Sequence, residues 1–316
     1  VTLAAETTRV RSPRPSGAGR GRRPVPWFKY LSVAPLVILL LAFVGYPVYE
    51  LVKTSLGTVR LEQGQFLWEF SGFDNFSRVF TDDLFLTSLK NSLIFILATV
   101  ALTLLFGIAL ALIVDRATGR LQRVAQNILI WPAIVAPVVV SVVWLLILSP
   151  QIGLLNRVLD SLGLPEQGWL GQPVGAMASV IAVDVWHWTP IVFLLVYTAL
   201  RAIDSSLLEA ARVDGATYWQ TLRSITLPIL TPAIIGAAVI RIIMGVKVFD
   251  EMYLLTFGGP GTATTVISIY IRSVFFEDFN FGYGAALSVT VVVLVMAVFL
   301  VAVGVRRMTR SGGRRD

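Results

Sequence analysis

Six ionisable side chains stand in apolar surroundings. Asp184 and His187 fall in one apolar run, 176–200, and Arg241, Lys247, Asp250 and Glu251 in another, 229–257. A charge placed in hydrocarbon is costly, so such groups mark solute paths, ion sites or internal pairs. Asp184, His187 and Lys247 share a level, about 8–11 residues or about 12–16 Å from one end of their runs at a rise of about 1.5 Å per residue. Trp186, Trp188, Phe249 and Tyr253 stand nearby. Aromatic faces beside a few hydrogen-bonding groups suit a sugar, whose C–H face stacks and whose hydroxyls need partners. The candidate path residues are therefore Asp184, Trp188, Lys247, Phe249, Asp250 and Tyr253. Helical spacing puts Asp184 and His187 on one face, and Trp186 and His187 on different faces. Two other readings stand beside this one. Lys247 can neutralise Asp250 (i, i+3) or Glu251 (i, i+4) within its own helix. Alternatively, Asp184, Lys247 and Asp250 serve as proton or sodium sites of an ion-coupled secondary transporter. Acid–base catalysis by Asp184 and His187 is disfavoured. The chain has no cysteine and one histidine, so neither a catalytic nor a metal-ligating set is expected.

The elements that must carry these groups are membrane spans. Of 316 residues, 56% are hydrophobic and 14% charged, with a mean hydropathy of +0.77. Six apolar runs, 30–52, 88–114, 124–148, 176–200, 229–257 and 284–305, each reach the roughly 20 residues that a hydrocarbon core requires. The fold class is thus all-α integral membrane. Trp131-Pro132 and Pro137 predict a kink in the third span. Residues 1–29 are basic and rich in Pro, Gly and Ser, and are expected to be a disordered tail rather than a cleaved signal; 306–316 form a second basic tail. The net charge of +7 is unevenly spread. Of 26 Lys and Arg, 18 fall in the tails, 115–123 and 201–228, and 6 on the other side of the spans. The positive-inside rule puts both termini and the 201–228 stretch in the cytoplasm, and this distribution speaks for lipid rather than nucleic acid. The loops 53–87 and 149–175 then lie outside, the latter predicted to hold a short helix and a turn.

Residues 201–228 are too structured for a connector. Ser206 and Glu209 stand at capping-box spacing, as do Thr217 and Gln220. Gly215 lies between, where a first helix needs positive φ to end. Ala210, Ala211 and Gly215 keep one surface thin; Tyr218, Leu222 and Ile225 form an apolar stripe. Pro228 and Pro232 are expected to reset the backbone before the next span. An interfacial helix pair packing on its own chain would carry some of these features.

Glu209-Ala210-Ala211, Gly215 and Ile225-x-Leu227-Pro228 resemble, in every residue and spacing, the EAA motif of the membrane subunits of binding-protein-dependent ABC importers. Phe249-Asp250, Tyr253, Thr256 and Gly258-Gly259-Pro260 look like the F-D-x-x-Y-x-x-T-x-G-G-P segment of carbohydrate-type permeases. Gly72-x-x-Asn75-Phe76 and Gly282-Tyr283-Gly284-Ala285-Ala286 fit the same family. The resemblance implies a six-span type I ABC importer permease fold with a cytoplasmic coupling helix-turn-helix. It implies that Glu209, Ala210, Ala211, Asp214, Gly215, Ile225, Leu227 and Pro228 couple to an ATPase. It further implies a second permease subunit, in a homologous heterodimer, two ATPase subunits and an extracytoplasmic solute-binding protein, in the inner membrane of a bacterium. Gly258–Gly261 lacks the Gly-Lys-Ser/Thr ending of a phosphate loop. ATP and magnesium are accordingly expected on the partner ATPase, with no cofactor in this chain.

Overall fold

Proline placement explains how the helices bend and where they break. The computed structural model describes residues 27–62 and 65–312. The tail at 1–26 and the last four residues lie outside them. Helix α1 (Trp27–Leu40), a π turn (Leu41–Gly45) and α2 (Tyr46–Ser55) run on without a break. The π turn stands two residues before Pro47, whose ring would press on the carbonyl four residues back in an ordinary α turn. The described residues up to Leu51 (27–51) belong to one unit, and those from Val52 onward to another.

The second unit begins with an antiparallel hairpin, β1 (Gly57–Glu62) and β2 (Gln65–Phe70), followed by the short α3 (Asp74–Val79). The long α4 (Asp83–Arg116) comes next, then α5 (Gly119–Ile134), α6 (Pro137–Ile147), α7 (Leu154–Ser161) and α8 (Pro173–Arg201). The chain continues through α9 (Ser205–Val213), α10 (Tyr218–Thr221), a second π turn (Leu222–Thr226) and α11 (Leu227–Val246). It ends with α12 (Asp250–Thr256), α13 (Ile267–Phe276) and α14 (Phe281–Gly312). Among the described residues, five helices are long and apolar enough to cross a membrane, and α5 with α6 makes a sixth if they are counted together. The hairpin was not anticipated from the sequence, and the expected tail at 306–316 is helical as far as Gly312.

Two predicted spans are broken, and only the first of these breaks is made by proline. The third breaks by 97° between α5 and α6. Pro137 pushes the residue before it out of the α region, and both Val135 (ψ 136) and Ala136 (ψ 140) are extended. The fifth span stops at Val246 rather than 257, and α12 restarts after a three-residue gap. Pro228, by contrast, resets nothing. The second π turn ends two residues before it, the Leu227 N–H bonds the Leu222 carbonyl, and Tyr218–Val246 is one continuous helix.

Helices α4 and α8 form the centre. A Cβ on Gly107 would stand 2.5 Å from the Val192 side chain, so only glycine permits this approach. Val192, Phe193, Val196, Ala111, Leu230 and Ala237 pack around it, and Phe95, Val140, Val183 and Met252 form a second cluster. Other apolar faces, such as Leu93, Leu97 and Leu105 of α4, remain exposed for lipid. At one end of α4, Asp82 caps the helix through the N–H groups of Leu84 and Phe85 and accepts the hydroxyls of Tyr270 and Tyr283. At the other end, Asp115 meets Arg201 at 3.5 Å and Arg116 covers the Tyr218 ring at 3.6 Å. These contacts fix the 201–228 loop at one end of the bundle, and α13 with the start of α14 at the other.

Candidate functional site

The loop at 201–228 is a helix, a tight turn and a second helix. Its first cap is Asp204, whose carboxylate accepts the Ser206 N–H at 2.9 Å. The expected Ser206–Glu209 box does not form, because the helix starts earlier and Asp204 occupies its N-cap. Bonds from the Ser206 N–H and hydroxyl hold the Asp204 carboxyl below its ordinary range. The helix ends in a Schellman turn: Ala216 N–H bonds the Ala211 carbonyl at 2.9 Å and Gly215 N–H the Arg212 carbonyl at 3.1 Å. Gly215 has φ +77, where a side chain is strained although nothing lies within 4 Å of its would-be Cβ. The Thr217–Gln220 capping box is present, with Oε1 of the Gln220 side chain accepting the Thr217 N–H at 2.7 Å.

The motif residues divide by exposure. Glu209, Ala210, Asp214, Gly215 and Pro228 are exposed, Ile225 and Leu227 half-buried, and Ala211 buried against the bundle. Between the helices runs a cleft of about 410 Å³ lined by Asp214, Gly215, Ala216, Gln220, Thr221, Ser224 and Ile225. Val213 (86% exposed) and Trp219 (74%) project beside it. The elbow is thus capped at both helix starts and carries two large exposed apolar side chains.

The ionisable groups within the spans are gathered at a second place, and their pairing differs from every arrangement expected. Asp184 on α8 is buried and bonded to Nη2 of Arg241 on α11. Arg241 Nε also donates to the Thr103 hydroxyl of α4 at 3.3 Å, while Nη1 has no partner among the described residues. Asp184 thus neutralises the buried guanidinium. Glu251, at the start of α12, turns to α8 rather than to Lys247. Its Oε1 stands 3.3 Å from His187 Nδ1 and accepts the Trp188 indole N–H at 3.3 Å. Lys247, in the gap after α11, is exposed and pairs with neither carboxylate, because the break removes the helical register that pairing requires.

His187 also closes the break in the third span. Its Nε2 stands 3.0 Å from the Val135 carbonyl, one residue before the kink. A carbonyl only accepts, so Nε2 carries a proton. Nδ1 then either donates to an ionised Glu251 or accepts from a protonated one, and in both cases the pair is neutral overall. The Trp188 ring lies 4.3 Å from that of His187, tilted by 34° to it. Around α12, Phe249 and Tyr253 stack at 5.1 Å, Arg272 lies 4.5 Å over Tyr253, and Asp250 is half-buried. Trp188, Phe249, Asp250 and Tyr253 are thus grouped by α8 and α12, whereas Asp184 belongs to the ion pair. Sequence reasoning did not assign His187, Arg241 and Glu251 their roles, since their partners lie on other helices.

The two places are mechanically joined. The elbow's second helix continues through the π turn into α11, which carries Arg241 to the ion pair and ends at the gap before Glu251.

Residues 103–310 match the family model described as the binding-protein-dependent transport system inner membrane component. The trehalose/maltose transport system permease protein MalF of Thermococcus litoralis is 35% identical over 284 residues, covering 89% of this chain and 94% of that protein. The sulfoquinovosyl glycerol transport system permease protein SmoG of Agrobacterium fabrum is 33% identical, covering 88% of this chain and 89% of that one. A crystal structure of a bacterial ABC transporter involved in the import of the acidic polysaccharide alginate aligns with a TM-score of 0.77 at 27% identity, over 90% of this chain and 96% of the other.

Proposed function

The chain belongs to the family of inner membrane components of binding-protein-dependent transport systems, and from that premise we propose that it forms half the solute path of an ATP-driven importer of a carbohydrate-type solute. The observation that carries this reading is the exposed elbow at 204–226, capped at both helix starts and continuous with a membrane-spanning helix. A separate ATPase pair, holding ATP and magnesium, grips the elbow around Glu209, Ala210, Asp214 and Gly215. The 201–228 side faces the cytoplasm, with both termini, and the α13 side receives a solute-binding protein. A second, homologous permease subunit supplies the other half of the path.

Force on the elbow enters α11 without a flexible joint. Arg241 passes it to α8 and α4 through Asp184 and Thr103. Glu251 and His187 pass it to the kink at Val135. The aromatic group of Trp188, Phe249 and Tyr253, with Asp250 and Lys247, lines the path beside that kink. Rocking of these helices exposes the path first to one side and then to the other. Ion coupling through Asp184, Lys247 and Asp250 is not favoured. Asp184 is held by Arg241, and Lys247 stands apart from both neighbouring carboxylates.

Vesicles carrying the assembled transporter and its binding protein test this reading. Uptake of a maltose-type or glycoside solute should stop on ATP depletion while ion gradients are held constant. Gly215→Asp should abolish co-purification of the ATPase and leave the chain inserted, because the added side chain meets nothing within its own chain. Uptake that follows a proton or sodium gradient without ATP contradicts the proposal.

A further inference from the structure

The hairpin β1–β2 has two unlike faces. Its register pairs Gly57 with Phe70 and Val59 with Trp68, and side chains directly opposite one another share a face. Strand alternation therefore collects Gly57, Val59, Phe66, Trp68 and Phe70 on one side. Thr58, Arg60, Glu62, Gln65, Leu67 and Glu69 fall on the other, where Arg60 and Glu69 approach within 4.0 Å. The aromatic side is not used up by the chain: Phe66 is 65%, Trp68 40% and Phe70 70% exposed.

The height of this face is fixed by span ends. The hairpin starts one residue after α2 stops at Ser55, and Asn75 Nδ2 bonds the carbonyls of both Ser55 (3.1 Å) and Gly57 (3.0 Å). The Trp68 indole N–H caps the Lys53 carbonyl of the last α2 turn at 3.2 Å, and the Lys53 ammonium lies 5.8 Å over its ring. The Phe66 ring meets that of Phe281, the first residue of α14, edge to face at 5.6 Å. A sheet tied to the ends of two membrane-spanning segments sits where hydrocarbon gives way to water. Tryptophan with a satisfied N–H, flanked by phenylalanines and a lysine, is the composition that settles in that layer.

We propose that the Phe66–Trp68–Phe70 face is a lipid anchor, seated in the headgroup–acyl boundary of the leaflet opposite the 201–228 loop. It continues the lipid-facing surface of the spans, and its charged face turns to water. The anchor holds the ends of α2 and α14 at one depth. This inference is independent of the solute carried, and its test does not involve transport.

Because the chain has no cysteine, single labelling sites can be introduced without background. The probe is a bimane on Phe70→Cys or, separately, on Glu69→Cys, in the full assembled transporter in phosphatidylcholine nanodiscs. Both positions are exposed, so neither substitution disturbs packing. Nitroxide lipids labelled near the headgroup should quench the Phe70 site several-fold more than the Glu69 site, and aqueous iodide should show the reverse order. Equal quenching at the two sites overturns the proposal. So does a Phe70 label shielded from both lipid and iodide, which would mean that protein covers this face.

Discussion

In the elbow, the bonds that fix the turn join residues no more than five apart, such as Ala216 to Ala211 and Thr217 to Gln220. In the junction between the spans, His187 reaches Val135 and Glu251 across 52 and 64 positions, and Arg241 reaches Thr103 across 138. A unit closed by local bonds keeps its shape while it moves. A unit closed by distant ones changes whenever any of its helices shifts. The first suits a part that is gripped, the second a part that responds, with α11 running from one to the other.

The harshest way to break this comparison is to remove one member of the buried ion pair. Arg241→Leu leaves the Asp184 carboxyl buried without its partner, and should cost about 3–5 kcal/mol of stability. Thermal unfolding in nanodiscs measures this, and Asp184→Leu with Arg241→Met should recover most of the loss. A single variant as stable as the parent would mean that the junction does not hold these helices. Next in size is Glu251→Gln, which keeps an acceptor for Trp188 but cannot complete the neutral pair with His187. Uptake should fall by roughly tenfold or more, since a hydrogen bond that joins α8 to α12 contributes about 1–3 kcal/mol. ATPase co-purification should stay unchanged, which distinguishes the junction from the elbow.

Thr217→Ala has the opposite pattern. Losing the capping box costs about 0.5–2 kcal/mol, confined to the elbow. ATP-stimulated uptake should drop modestly while the unfolding temperature of the bundle stays put. The smallest effect is expected at the far end of α4. Burial pulls the Asp82 carboxyl up, but bonds from Tyr270, Tyr283 and the N–H groups of Phe85 and Leu84 outweigh it and hold it below its usual range. A lowered folded value gives a contribution fully present above the unfolded pKa of about 3.9 and lost as pH falls through the folded value. The melting temperature of the parent should therefore begin to fall only below about pH 4, whereas that of Asp82→Asn lacks this decline.

How far each region could be read from sequence follows from the same contrast. Gly215, Thr217 and Gln220 announce the turn because their partners are neighbours, and only the first cap was misplaced, from Asp204 to Ser206. The spans were legible from apolar length. Their breaks were not, since Pro137 signals a kink but not its 97°, and nothing before Lys247 marks the end of α11. That unseen end hid the ion pair. With the fifth span drawn to 257, Arg241 fell at a different depth from Asp184, and Lys247 seemed to have Glu251 within helical reach. Alternation in Val59–Glu62 and Gln65–Phe70 carried the hairpin, obscured by its place in a loop of mixed charge.

In the mechanism proposed here, the elbow and the kink of the third span move together through α11 and the Glu251–His187 pair. Spin labels on Val213→Cys and Ile134→Cys, both highly exposed positions, report the distance between them in the assembled transporter with and without ATP. The account predicts an ATP-dependent change in that distance that is lost in Glu251→Gln although ATP is still hydrolysed. A change of the same size in both proteins would contradict it.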